Sequence, residues 1–260
     1  MIRKLQSITN RIKDYVPGLL AIIAIVAIWH ILCAKAIVPS YMLPKPKAVL
    51  NALYEDRYIL FEHSLVTLKE AFYGLLYGIV IAFVMATIMD ECGFLYKAFY
   101  PIMVITQTIP TIAIAPLLVL WMGFGEEPKI TLVVITTFFP IAVGLLDGYK
   151  NVDKDSVNLL RSMGAGKIKV FRHIKLPNAL PHFFSGLKVS ASYAIVGAVI
   201  SEWLGGFEGL GVYMTRVKKA YAFDKMFAVI IVIIVISLLL MKLVNILRKM
   251  VMPWERSRGN

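Results

Sequence analysis

Six stretches of this chain are apolar enough and long enough to cross a bilayer, at about 17–35, 67–89, 98–121, 129–147, 182–202 and 226–247. A helix rises 1.5 Å per residue, so about 20 apolar residues span the hydrocarbon layer. The pattern predicts an all-α polytopic membrane protein with six transmembrane helices. Between the fourth and fifth stretches lies the longest strongly charged run, residues 150–181, KNVDKDSVNLLRSMGAGKIKVFRHIKLPNALP. Its 150–175 part holds seven Lys and Arg: Lys150, Lys154, Arg161, Lys167, Lys169, Arg172 and Lys175. Each Lys or Arg at a helix centre costs roughly 2.5–3.5 kcal/mol to insert, which keeps the run on one side of the membrane.

Helical spacing predicts two short helices inside that run. Asp155 or Ser156 is the expected cap of the first, whose apolar residues Leu159, Leu160 and Met163 share one face. Gly164 and Gly166 are expected to interrupt it, as a left-handed glycine often ends a helix. A second helix over about 167–175 places Val170, Phe171 and Ile174 inward, and Pro177 is expected to stop it. Two small amphipathic helices with a basic outer side form either a docking surface or a solvated loop obeying the charge rule for membrane sidedness.

Composition agrees with the membrane assignment. The 260 residues are 59% hydrophobic and 17% charged, with a mean hydropathy of +0.74, whereas soluble domains have about 45–50% apolar and 25% charged residues. The net charge of +12 sits at segment ends. That points to lipid headgroups and orientation rather than to nucleic acid. The face holding the N-terminus, the 150–175 run and the C-terminal end carries the larger share of the 28 Lys and Arg, with Lys69 and Lys129 counted on the other face. Both termini and the charged run are therefore assigned to the cytoplasm. The first span ends near Ala34-Lys35-Ala36, similar to a signal-peptidase site, but its length favours a retained anchor. The expected division is a tail, first span and external loop over 1–60, a transmembrane domain over 61–248, and a cytoplasmic tail over 249–260.

Polar residues inside the spans narrow the search for function. Gly74-Leu-Leu-Tyr-Gly78 allows close helix packing, read as packing within the subunit. TQTIPTIAIAP, residues 106–116, combines Pro110 and Pro116 with Thr106, Gln107, Thr108 and Thr111. Broken helix at membrane depth survives only where protein covers it or a cavity wets it. These four polar residues are the candidate translocation pathway, the competing reading being a proline kink whose Thr hydroxyls bond back to carbonyls. Glu202 closes the fifth span against the helix dipole, which predicts a partner, and is the further pathway candidate. His30 reads as a packed or interfacial histidine, and Asp90 and Asp147 as boundary residues. No chain of acids crosses the interior, so no proton relay is evident.

Enzyme chemistry finds no foothold. Gly164-Ala-Gly166-Lys167 fails the phosphate-loop pattern, with Arg161 where its first Gly belongs and Ile168 where Ser or Thr belongs. Cys33 and Cys92 fall at opposite ends of the topology, which leaves no disulfide, and two cysteines make no metal site. The histidines at 30, 63, 173 and 182 lack zinc spacing, and no GxSxG elbow occurs.

NLLRSMGAGKIKVFRHIKLP, residues 158–177, is similar to the Glu-Ala-Ala loop of permease subunits of bacterial ABC importers. That loop runs Glu-Ala-Ala, three residues, Gly, nine residues, Ile-x-Leu-Pro; Gly164, Ile174, Leu176 and Pro177 occupy its later fixed positions. Asn158, Leu159 and Leu160 stand in place of Glu-Ala-Ala, which puts in doubt an ionic role for the first position. SLVTLKEAFYGLLYG (64–78), the Pro-rich third span and SEWLGGFEGLG (201–211) resemble the nitrate/sulfonate/taurine branch, and the likeness covers roughly 60–245.

The resemblance implies a type I ABC importer transmembrane domain with cytoplasmic coupling helices between spans 4 and 5, in a bacterial inner membrane. It implies two cytoplasmic ABC ATPase subunits, a second permease copy (a homodimer), surrounding lipid and an external substrate-binding protein, with no nucleic acid. ATP and Mg belong to the ATPase, and no cofactor to this chain. Asn158 to Gly164 then form the coupling helix, anchored by Leu159, Leu160 and Met163, with Arg161 offering charge-assisted bonds and Ala165 following the turn. The C-terminal stretch 224–254 looks most like the sub-branch taking up pyrimidine precursors of thiamine; sulfonate, taurine, nitrate and riboflavin importers share the signature. An ion-driven carrier or channel without an ATPase, and a scaffold whose loop binds another cytoplasmic protein, stay open as alternatives.

Overall fold

The computed structural model describes residues 2–35, 37–39 and 42–254, with side chains from Val16 onward. The elements are all helices: α1 (Ile2–Ala34), α2 (Pro46–Glu55), α3 (Arg57–Glu91), α4 (Gly93–Thr108), α5 (Thr111–Met122), α6 (Glu127–Lys150), α7 (Lys154–Ser162), α8 (Lys167–Val170), α9 (Leu176–Gly205), α10 (Leu210–Lys219) and α11 (Phe223–Val251). Among the described residues five helices are long and apolar enough to cross a membrane: Val16–Ala34, Arg57–Glu91, Glu127–Lys150, Lys167–Gly205 and Phe223–Val251. The α4–α5 pair makes a sixth when taken as one broken span bent by 101°. Ala36, part of the cleavage-site reading, and residues 255–260 of the expected tail lie outside the described residues.

The chain divides into two compact units, Met1–Leu60 with Arg216–Ile231, and Phe61–Thr215 with Val232–Asn260. In the first, Val49, Ala52 and Ala228 are buried, with Trp29, Leu53, Phe227 and Ile231 against them. The Trp29 indole N–H donates to the Pro44 carbonyl at 3.0 Å, and the Lys225 ammonium meets Asp56 at 2.9 Å. Pro46 starts α2, where its missing N–H costs nothing. His30 is exposed.

In the second unit α6 and α9 form the centre, around Ile141, Leu145, Leu146, Ala191, Ala194, Ile195 and Ala198, and α3 and the second half of α11 supply Ala82, Ala86 and Val244. Small residues set the helix spacing. A Cβ on Gly148 would sit 2.5 Å from the Ala179 Cα, and one on Gly144 would sit 2.7 Å from the His182 carbonyl oxygen. The Gly74/Gly78 pair faces Val133 and Thr137 of α6, so the pattern serves packing inside the chain, as expected.

Proline chemistry behaves differently at two places. At Ile109-Pro110 both residues take extended ψ angles, 124° and 123°, and the third span breaks into two helices. The expectation that Pro177 stops a helix is corrected: the helix runs from Lys167 through to Gly205. The backbone opens into a π turn at Phe171–Lys175, where the Leu176 N–H donates five residues back to the Phe171 carbonyl. Widening the turn accommodates a residue that lacks an N–H and crowds the carbonyl four positions earlier.

Candidate functional site

Helix α7 is held at both ends by caps, and none of its residues is fully buried. Its N-cap is Asp153, correcting the expectation of Asp155 or Ser156. The Asp153 carboxylate accepts from the Asp155 N–H at 3.1 Å, the Ser156 N–H at 3.2 Å and the Ser156 hydroxyl at 2.6 Å. Asp155 and Ser156 thus serve as donors to the cap. The Ser156 hydroxyl first, then the two backbone N–H groups, holds the Asp153 carboxyl below its ordinary value. At the other end Gly164 takes φ +81°. The Ala165 N–H reaches the Leu160 carbonyl at 3.1 Å and the Gly164 N–H reaches the Arg161 carbonyl at 2.9 Å, the paired closure of a Schellman turn.

Between these caps no residue of α7 is buried. Leu159 is 65% exposed and Met163, just past the helix, 75% exposed. Asn158 and Arg161 are also exposed, while Leu160 and Ala165 are half-buried. Of the later motif positions, Ile174, Leu176 and Pro177 are half-buried in the π turn and the start of α9. Ile174 and Pro177 line a cleft of about 440 Å³ together with Asp153, Ser156, His173 and Trp254.

The run is tied to the transmembrane helices by contacts that sequence reasoning missed. The Lys175 ammonium lies 2.6 Å from Asp90 and 4.0 Å from Glu91 at the end of α3. Lys167 adds an exposed pair with Glu91 at 3.6 Å. Lys150 sits 3.5 Å over the Tyr96 ring, and the Asn178 amide donates to the Gly148 carbonyl at 3.0 Å. Two acids closing α3 against its dipole were the available signal.

The pathway candidates separate into two groups. Thr106, Gln107 and Thr108 are exposed and Thr111 is half-buried around the α4–α5 break. The Thr106 and Thr108 hydroxyls donate to the Met103 and Ile105 carbonyls at 2.9 and 2.7 Å, the back-bonding expected of a proline kink. Glu202 does not share that exposed surface. It is 1% exposed, its Oε1 accepting from the Thr67 hydroxyl at 2.7 Å and its Oε2 from the Gly211 N–H at 2.6 Å. The partner expected from its place against the dipole is thus Thr67 of α3, with the Gly211 N–H at the start of α10 beside it.

Around Glu202 the 206–211 loop closes onto α3. The Gly209 N–H donates to His63 Nδ1 at 3.0 Å and the Leu210 N–H to the Thr67 hydroxyl at 2.9 Å. Gly209 has φ +118°, and a Cβ there would occupy the space of the Glu202 carboxylate. One turn along α3 from Thr67, Glu70 is buried and paired with Lys129 at 2.6 Å. Lys129, counted on the outer face by sequence, is 6% exposed, with Glu70 supplying its counter-charge. Lys69, its neighbour in the same tally, does stay exposed, paired with Glu126 at 2.7 Å.

Long apolar helices around an α6–α9 centre, with a broken third span and a capped, exposed helix α7, define a multi-pass membrane protein. The family whose model carries the description "Binding-protein-dependent transport system inner membrane component" matches residues 78–256, and the chain belongs to this family. A probable ABC transporter permease protein of Haemophilus influenzae is 36% identical over 222 residues, covering 85% of this chain and 91% of that one. The formylaminopyrimidine transport permease protein ThiX of Halalkalibacterium halodurans is 33% identical over 235 residues, covering 90% and 94%. Proteins named for aliphatic sulfonate, taurine and nitrate transport also match, which places the chain in that branch. The inward-facing MetNI methionine ABC transporter shares the fold with a TM-score of 0.66 at 19% identity, over 75% of this chain and 97% of that one. The chain is a transport subunit for small solutes, with ATP hydrolysis on a separate subunit. That assignment decides against the ion-driven carrier and the scaffold.

Proposed function

We propose that α7, with the turn at Gly164 and the segment through Pro177, is the surface on which a cytoplasmic ATPase docks. The observation that carries this is a helix capped at both ends by its own chain while Leu159 and Met163 project into the open. Apolar side chains on a preformed, unpartnered helix fit a groove on another protein. Two ATPases, holding the ATP and Mg, act on two copies of this chain in a bacterial inner membrane, both termini on the ATPase side. ATP-driven closure of the ATPases draws the two α7 helices together. The Schellman turn and the Lys175–Asp90 pair pass that movement to α9 and α3, shifting the population between inward- and outward-open states. The exposed Thr106, Gln107, Thr108 and Thr111 line the passage at the α4–α5 break, and an external binding protein delivers the solute. The 1–60, 61–248 and 249–260 division keeps its roles in this scheme.

For the solute, the 33% identical formylaminopyrimidine permease favours a pyrimidine precursor of thiamine. Uptake of labelled formylaminopyrimidine by proteoliposomes holding the whole complex tests this; uptake of taurine or a sulfonate in its place overturns it. For docking, Leu159→Asp with Met163→Asp is expected to abolish co-purification of the ATPase while leaving the permease folded. Recovery of an intact complex from that variant refutes the docking surface.

A further inference from the structure

The Glu70–Lys129–Glu202 cluster lies twenty residues along α3 from Asp90, roughly 30 Å at 1.5 Å per residue, and so at the opposite end of the bundle from α7. It holds two carboxylates and one ammonium, each almost wholly buried. Lys129 Nζ satisfies Glu70 Oε1. Glu202 is satisfied by neutral donors, the Thr67 hydroxyl and the Gly211 N–H. Glu70 Oε2 is buried and has no donor, and Glu202 lies against the same part of α3, bonded to Thr67 one turn before Glu70. Written as three ionised groups, the cluster carries one uncompensated negative charge and one orphan acceptor in a buried site. Both features are costly, since a buried charge needs a partner and a buried acceptor needs a donor.

One proton removes both at once. We propose that Glu70 and Glu202 together bind a single proton, held between Glu70 Oε2 and the Glu202 carboxylate. The proton comes from water; the orphan acceptor gains a partner, and one carboxylate is left to balance Lys129. Two adjacent carboxylates sharing one proton are an established way of avoiding like-charge repulsion. A metal ion is a poorer fit, because the described residues contain no group of three or more His, Cys, Asp or Glu able to hold one. The proton closes a clasp. Glu202 binds the Gly211 N–H, so repulsion between two ionised carboxylates pulls on the 206–211 loop and the start of α10. Other ionisable groups near the site are His63 from α3, Tyr213 from α10, its ring against His63, and the exposed pair of Lys69 from α3 with Glu126 just before α6. The 206–211 loop faces it with backbone N–H groups.

Infrared spectroscopy of the full chain in lipid nanodiscs tests this. At neutral pH the wild type is expected to show the carbonyl stretch of a protonated carboxylic acid, lost on alkaline titration together with faster labelling of Phe207→Cys in the loop. Glu70→Gln supplies an amide donor in place of the shared proton. It is expected to lack the band and to keep the loop closed across the same titration. Glu202→Gln is also expected to lack the band, and His63→Gln to retain it. Absence of the band from the wild type at neutral pH overturns the proposal and leaves a bound water. Persistence of the band in both Gln variants overturns it too. So does loop closure that follows sodium at fixed pH, which makes the ligand a metal cation.

Discussion

Replacing Gly164 with valine tests the docking helix through its backbone alone. At φ +81° the position lies in the left-handed region, where an L residue pays roughly 1–2 kcal/mol and a β-branched one more. A Cβ there meets nothing within 4 Å, so the cost is conformational and no clash contributes. It falls on a helix of nine residues with no buried contact to resist it, and isolated helices shorter than about 12–15 residues are marginal in water. A shift of about 1.4 kcal/mol is tenfold in population, enough to turn a mostly formed α7 into a minority state. The assay is substrate-stimulated ATPase activity and uptake, measured together in proteoliposomes of the complete complex. Gly164→Val is expected to lose stimulation by roughly tenfold while the bundle's melting temperature stays unchanged. Gly164→Asn, which tolerates the left-handed region, is expected to keep most of it. Full stimulation in the valine variant would falsify the coupling role. Equal damage from asparagine would show that surface contact, and not φ, matters at this position.

Three further outcomes follow from contacts nearby. Asp90→Asn leaves the largely buried Lys175 without its 2.6 Å partner, which is expected to cost about 1–3 kcal/mol, less than for a fully buried pair; a double-mutant cycle with Lys175→Met read by melting temperature should recover most of it. Gly148→Val forces a side chain onto the Ala179 backbone and is expected to lower stability by at least about 1–3 kcal/mol through overpacking, with loss of folded protein in detergent as the measurement. Asp153 is held below its ordinary value, so its capping contribution is complete above the usual carboxylate range, near pH ~4, and disappears as pH falls through its lower folded value. Hydrogen exchange across α7 should therefore accelerate in acid, and Asp153→Ala should exchange fast at every pH.

The one-dimensional pattern determined where the chain crosses the membrane, because insertion cost and helical period are properties of successive side chains. It also determined the Gly164 turn, a local backbone requirement, and the apolar face of Leu159 and Met163. Contacts between residues far apart belong to the tertiary structure. By sequence Lys129 is one of the positive charges of the outer face; its burial against Glu70, 59 positions away, belongs to the tertiary structure. Glu202 signalled a missing partner through its place at a helix end, but only packing of α9 on α3 brings it to Thr67, 135 positions away. At Pro177 the local rule predicted a stop, and the chain instead widened one turn and went on, since burial of α9 against α6 outweighs a single lost hydrogen bond. Local rules price each residue against water or lipid. Which buried charges find one another depends on where whole helices come to rest.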